Sequence, residues 1–356
     1  MLNRIVNSLS YRGRIMWQKI SFALLEKHDK SIIFLIPGTE TKSGGILSIF
    51  SIFRETISIF KNKRVSVLMM SYPNSAKISK YTWFDNNVSI YPFDLLIKKR
   101  YQGIELIIHL PEYYVGEFFD LLSCDQIKTL SDFKNVHFNI LNQNIEMMPD
   151  KIVIDRLRVI SNRITSTTAH DSYTNAYFRD YYGLPIHKLS SWFDKEKVLV
   201  LPYELKEDIL IVSPDSHPLK QYILNYIAQK IPKLKFVIIR DMRYEDYKLL
   251  ESKAKWSISF GEGLDGYIVG PTLRGGIGFA VYNKEFFTEE FLNLPNIFDN
   301  FDTLAQNVVS FIENNDTKLL YENVRLSAYE IIDSKFNYHD FKNNVKLFYE
   351  EKYTIP

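Results

Sequence analysis

The chain of 356 residues contains one cysteine, Cys124, so an intrachain disulfide framework and a cysteine zinc site are both excluded, and a reducing cytoplasm is expected. No uninterrupted apolar run reaches the length of a membrane span. An excess of one charge is also lacking: 44 Lys and Arg against 42 Asp and Glu leave a net +2, too little to expect nucleic acid as a partner. No fixed-period repeat and no low-complexity tract is present. Glycine is sparse at 14, yet seven of these lie between Gly261 and Gly278. There the backbone must turn sharply or let something approach closely.

A hydrophobic share of 46% with 24% charged residues belongs to a soluble globular protein, and the length suits two domains. The N-terminus places Arg4, Arg12, Arg14 and Lys19 among Ile5, Leu9, Ile15 and Ile20, a pattern too interrupted for a signal peptide. The preferred reading of residues 1–26 is a helix packed on the first domain. The other is a basic amphipathic helix on an anionic membrane surface.

Ser31–Pro37 reads as a buried parallel strand running into Gly38–Gly45, with a helix over Ile46–Phe60. Strand-like runs follow at Arg64–Ser71, Val88–Pro92, Gly103–Leu110, Val136–Leu141, Arg163–Ala169 and Ile186–Ser190. Helices are expected at Glu112–Leu122 and Tyr173–Tyr182. The charged stretch Phe193–Asp208 reads as a linker. The pattern then restarts with strands at Asp208–Val212, Lys235–Arg240, Trp256–Phe260 and Phe279–Tyr282. Helices are expected at Pro218–Lys230, Arg243–Ala254, Asp302–Asn314, Lys318–Ile332 and Tyr338–Tyr353. This alternation predicts two α/β domains, each on a parallel sheet covered on both faces, with the cleft between them as the ligand site.

The order of motifs in the second half resembles the donor domain of GT-B glycosyltransferases, near the large retaining group called family four. A first strand ends in Val212–Lys220, a later one in Arg240-Asp241-Met242-Arg243, and a third in Glu262-Gly263-Leu264-Asp265-Gly266. In the first half, Gly44-Gly45 resembles the acceptor-side loop of that fold. The segment from Thr165 through His170 to Pro185 resembles its last unit before the domain crossing. Two features depart from family four. Val269 and Gly270 stand where a second glutamate is usual, and Ser213, Pro214 and Asp215 fill a loop that usually holds an arginine. Stereochemistry is therefore left open.

The resemblance implies an acceptor domain over residues 1–195, with 336–356 packing back on it, and a donor domain over 196–335, their sheets facing a central cleft. It implies metal-independent hexosyl or deoxyhexosyl transfer from a nucleotide sugar, the substrate, with no cofactor. The acceptor the resemblance implies is a lipid-linked glycan in the building of bacterial capsule or O-antigen. The setting would be cytoplasmic, or peripheral at the membrane through residues 1–26. Negative charge grows on the leaving diphosphate, so cations and amides accelerate the step. Lys220 and Arg274 are the candidate cations, and the amides at Gly275-Gly276 and Gly44-Gly45 the candidate neutral donors. Glu262, Gly263, Gly266 and Thr272 complete the donor loop. Asp265 either contacts the sugar or caps the next helix, and Met242 and Arg243 either flank the base or open a helix. For the acceptor's proton, His170 with Asp171 is the first choice and His109 with Glu112 the second. The alternatives are an inactive GT-B-like accessory or binding subunit, and a sugar-nucleotide epimerase.

Overall fold

The computed structural model describes residues 13, 16–73, 80–97, 103–189 and 199–356. They divide into two compact units, Met1–Ser190 with Lys342–Pro356, and Ser191–Phe341.

In the first unit, β1 (Lys30–Ile36) is followed by α1 (Gly44–Phe60), β2 (Val65–Ser71), β3 (Ile90–Pro92) and β4 (Glu105–Pro111). Next come α2 (Val115–Leu121), α3 (Cys124–Ser131), β5 (Asn135–Asn142), α4 (Lys151–Arg156), β6 (Arg163–Thr168), α5 (Ala176–Tyr182) and β7 (Ile186–Lys188). The seven strands are parallel in the order β3-β2-β1-β4-β5-β6-β7. The near-continuous apolar runs of β1 and β4 are what a strand buried on both faces requires. Strand order reverses between β1 and β4, so the loops after these two strands diverge to opposite faces and leave a crevice at their carboxyl ends.

The second unit contains β8 (Glu207–Val212), α6 (Lys220–Lys230), β9 (Lys235–Ile238), α7 (Tyr244–Lys253), β10 (Ala254–Ile258), α8 (Gly266–Leu273), β11 (Ile277–Val281) and β12 (Ile297–Phe298). The helices α9 (Phe301–Asn315) and α10 (Lys318–Lys335) complete it, and α11 (Tyr338–Tyr349) passes into the first unit at Lys342. Its parallel sheet has the order β12-β11-β10-β8-β9, with the reversal between β8 and β10. The core gathers around Trp256, 1% exposed and stacked on Phe279 at 5.7 Å. Among the described residues, no helix is long and apolar enough to cross a membrane.

Several expected elements change. The strand expected at Val88–Pro92 pairs only over Ile90–Pro92, and the helices before Leu122 and Tyr182 each open with a 3-10 turn. The short helices α3 and α4 were not anticipated, although Ser123 and Gln126 form a reciprocal capping box that signals α3. Of the expected linker, residues 193–198 lie outside the described residues, while the rest belongs to the second unit. There Lys206 is 8% exposed and donates to the carbonyls of Ser252, Ala254 and Arg274 at 2.8, 3.3 and 3.0 Å. Its ammonium joins carbonyls near the ends of α7 and α8, where the helix dipoles favour a cation, and burial lowers its pKa to about 7.

A polar layer lies within the first unit, between the sheet and α11. Asn139 Nδ2 donates to His109 Nδ1 at 3.0 Å, which leaves His109 Nε2–H to face the Tyr349 hydroxyl at 3.0 Å, and Tyr349 meets Thr56 Oγ1 at 2.9 Å. The Thr165 hydroxyl donates to Asn139 Oδ1 at 2.9 Å and meets His137 Nε2 at 2.9 Å. Burial holds both imidazoles neutral, each with its pKa lowered to about 3. Below pH ~6.5 the unfolded chain takes up protons that the folded unit refuses, so stability falls as pH falls. The expected slope is up to about 1.4 kcal/mol per pH unit for each histidine, until pH nears the folded values. Urea midpoints of this unit at neutral and acid pH check this, and equal midpoints would contradict it.

Candidate functional site

The switch point of the second sheet brings together two loops, one following β8 and one following β10. Ser213, fully buried, joins them: its N–H donates to the Ile258 carbonyl at 3.0 Å, and its hydroxyl accepts from Phe260 N–H at 2.9 Å. Lys220, at the start of α6, reaches back to the carbonyls of Ser213 and Asp215 at 2.6 and 2.7 Å and lies 5.4 Å from the Phe260 ring centre. Partial burial lowers its pKa. The expected cation therefore stands at the site while clamping the β8 loop with two of its three donors.

The β10 loop is shaped from within. Gly261 lies tight against Asp215, whose carboxylate would have to shift for a Cβ placed 2.8 Å from Oδ2. Gly263 has φ +95°, and a Cβ would meet Phe287 at 2.5 Å and the Val281 carbonyl at 2.7 Å. Gly263→Ala is therefore expected to lose about 2 kcal/mol or more of stability and to weaken any ligand held by the loop. Chemical denaturation beside a binding titration reads both, and a neutral result would contradict the packing described. Between these glycines Glu262 is half-buried.

Asp265 is the N-cap of α8: Oδ1 accepts from Tyr267 N–H at 2.7 Å and Oδ2 from the Ser259 hydroxyl. Of the two expected roles, the capping one is present. Burial first, with the charges of Asp215 and Glu262, raises its pKa to about 7. Beside this loop an open depression of about 440 Å3 is lined by Gly261, Val281, Tyr282, Asn283, Lys284 and Phe301. The Phe301 ring stacks on His217 at 3.7 Å and on Phe260 at 5.8 Å. Nearby, Met242 is half-buried and Arg243 precedes α7 as its N-cap residue, its guanidinium exposed and 3.8 Å from Glu245.

The remaining donor-side candidates are not in this group. Helix α8 starts at Gly266 beside the carboxyl ends of the strands and runs back across the sheet to its amino edge, so everything after it lies at the wrong end. Gly275 and Gly276 sit there, their amides already given to Thr272 O at 3.1 Å and Pro271 O at 2.8 Å as the helix terminates. Thr272 is fully buried inside α8. Arg274 is 4% exposed and pairs with Glu251 at 2.9 Å, closed in the core at the amino edge of the sheet. The eight-residue helix between Asp265 and Arg274 separates the Gly261–Gly266 loop from the second glycine cluster at Gly275-Gly276.

In the first unit, the loop after β1 ends at Ser43, whose hydroxyl caps α1 by accepting from Ile46 N–H at 3.3 Å. Gly44 opens onto free space, and a Cβ on Gly45 would stand 3.0 Å from Gln143 Oε1. His170, after β6, meets the same segment: its Nε2–H donates to the Gln143 carbonyl at 2.8 Å. That bond fixes Nδ1 as the basic nitrogen. Burial lowers its pKa, so the ring is neutral at neutral pH. Asp171 forms an ion pair with Lys188. Glu112 is 4% exposed and accepts from Asn144 N–H at 3.0 Å. His109 is displaced from its expected place at a strand end. It lies inside β4, 1% exposed and stacked on Phe34 at 4.3 Å with both nitrogens engaged, so it cannot take a proton from a bound hydroxyl.

His217, Gln143 and Phe301 were not singled out from the sequence, and Ser213 was noted only as filling a loop where an arginine is usual. Only Ser213 carried a signal, as the first residue after a buried strand. Among the described residues, no group of three or more His, Cys, Asp or Glu side chains is placed to hold a metal ion.

At the sequence level, no family model and no curated protein matches the chain. Solved structures do match in fold. HepE of Anabaena in complex with UDP aligns with TM-score 0.54 at 12% identity, covering 90% of this chain and 100% of that one. Sucrose-phosphate synthase of Thermosynechococcus elongatus aligns with TM-score 0.57 at 10% identity, covering 91% and 99%. The E. coli trehalose-6-phosphate protein bound with UDP-2-fluoro glucose gives 0.53 at 9%, covering 90% and 98%. The fold is α/β and of the GT-B glycosyltransferase type, with one Rossmann-like parallel sheet in each unit.

Proposed function

We propose that the protein is a glycosyltransferase that takes a sugar from a nucleotide-sugar donor held by the second unit. The observation that carries this reading is the loop pair at the switch point of the second sheet, where Lys220, Glu262 and the capped start of α8 converge on one carboxyl edge. Such an edge offers amide N–H groups and a cation to a diphosphate, and a carboxylate to sugar or ribose hydroxyls. Structures of the same fold described as complexes with UDP and UDP-glucose support the donor class.

The leaving diphosphate gains charge as the bond to the anomeric carbon breaks, and Lys220 with the α8 amides meets that charge without a metal. The first unit takes the acceptor. His170, neutral and with Nδ1 as its acceptor nitrogen, removes the proton of the attacking hydroxyl. The acceptor class we propose is a lipid-linked glycan of a bacterial surface polysaccharide, capsule or O-antigen, which would bring the protein from the cytoplasm to a membrane surface through residues 1–26. Hexosyl or deoxyhexosyl transfer fits this role.

Incubating the protein with a panel of nucleotide sugars and glycolipid acceptors, and measuring nucleotide release, tests the proposal. Release from at least one donor that depends on acceptor is expected. Binding of a nucleotide sugar with no release from any pair would favour the accessory-subunit alternative, and a changed free sugar nucleotide would favour epimerisation.

A further inference from the structure

Residues 16–23 form a helix against the first unit. Its inner side is well fixed: Phe22 is 3% exposed and packs on Tyr91 at 5.5 Å, and buried Gln18 donates to the Ile90 carbonyl at 3.3 Å. At about 100° per residue, Met16, Ile20, Leu24 and Trp17 fall within an arc of about 100° on the other side. They are 64, 41, 79 and 68% exposed. A helix packed on a core normally turns polar residues outward. This one turns a tryptophan and three large aliphatic side chains to solvent, in one stripe, and packing on its own unit gives no reason for them.

The charge around the stripe is predominantly basic. Lys19 and Lys27 are exposed beside it. The first 30 residues hold six Lys and Arg against Glu26 and Asp29, a local excess of four in a chain whose total is +2, so the remainder is slightly acidic.

We propose that this outer stripe docks on an anionic lipid bilayer. Trp17 and Leu24 would enter the boundary between headgroups and acyl chains, and Lys19 and Lys27 would face the lipid charge. A second copy of the chain is the weaker fit as occupant. Four side chains, even with Trp at roughly 200 Å2, fall short of the ~800 Å2 per partner of a stable interface. Two copies would also bring like charges together. The surface gives a location to the lipid-linked acceptor proposed above and rests on that reading for its purpose alone.

Co-sedimentation of the full chain with phosphatidylglycerol vesicles and with phosphatidylcholine vesicles tests the proposal, alongside the double variant Trp17→Ser, Leu24→Ser. Binding to phosphatidylglycerol is expected to weaken about tenfold on phosphatidylcholine, in high salt, and in the variant. An unchanged melting temperature will show that the variant is folded, since both side chains already face solvent. No binding to phosphatidylglycerol, or equal binding by the variant, would overturn the proposal. So would a lipid-free dimer, seen by light scattering, that the variant abolishes. A melting shift with nucleotide sugars, retained by the variant, reports on the donor site separately, so the two readings can fail independently.

Discussion

Gly270→Ala is expected to destabilise the second unit by about 3–5 kcal/mol, far more than a helical glycine-to-alanine change usually does. In an exposed helix the substitution would stabilise by up to ~1 kcal/mol. Here the added Cβ would lie 1.9 Å from Glu251 Oε1. Glu251 cannot simply move aside, because it is 2% exposed and its carboxylate pairs with Arg274, 4% exposed, at 2.9 Å. Displacing it leaves two buried charges poorly compensated, and breaking such a pair typically costs 3–5 kcal/mol. The site is already under electrostatic stress: burial outweighs Arg274 and raises the Glu251 pKa to about 7. Glu251→Ala alone is expected to lose a similar amount. The double variant should lose much less than the sum, since without the Glu251 carboxylate the added methyl meets no clash and only the unpaired Arg274 remains as a cost. Urea denaturation of the four proteins decides this, and additive losses would contradict the account.

Glu262→Ala is expected to lower turnover at least about tenfold while leaving the melting temperature nearly unchanged. A tenfold loss corresponds to about 1.4 kcal/mol of transition-state stabilisation, within the range of one hydrogen bond to a charged group. Glu262 is half-buried in a loop shaped by Gly261 and Gly263, neither of which depends on its side chain for its fit. Asp265, three residues on, makes the informative contrast. Its carboxylate caps α8 and holds Ser259, so Asp265→Ala should lower stability as well as activity. Melting and turnover measured together separate the two. Full activity in Glu262→Ala would place the donor elsewhere.

The two parallel sheets were legible because buried strands such as Ile32–Ile36 and Leu210–Val212 are continuous apolar runs, and helices intervene at regular spacing. The β10 loop was legible for its glycines, of which Gly263 admits no side chain. What spacing could not show was direction along the sheet. Arg274, Gly275 and Gly276 are near Glu262 in sequence, but α8 carries them to the far edge. Partnership was equally hidden: the acid that faces Gly270 comes from Glu251 on the preceding helix, nineteen residues away in the chain. His109 and His170 looked alike as histidines near strand ends. Only the packing of Phe34, Asn139 and Tyr349 makes the first a core residue, while the carbonyl of Gln143 orients the second.

The central claim is that the second unit binds a nucleotide sugar at the carboxyl edge of its sheet. Calorimetric titration of nucleoside diphosphates and their sugars into the wild-type chain and into Glu262→Ala tests it most directly. Saturable binding of at least one nucleotide sugar, clearly weakened in the variant, is the predicted result. No heat with any nucleotide, or equal affinity in the two proteins, would contradict it.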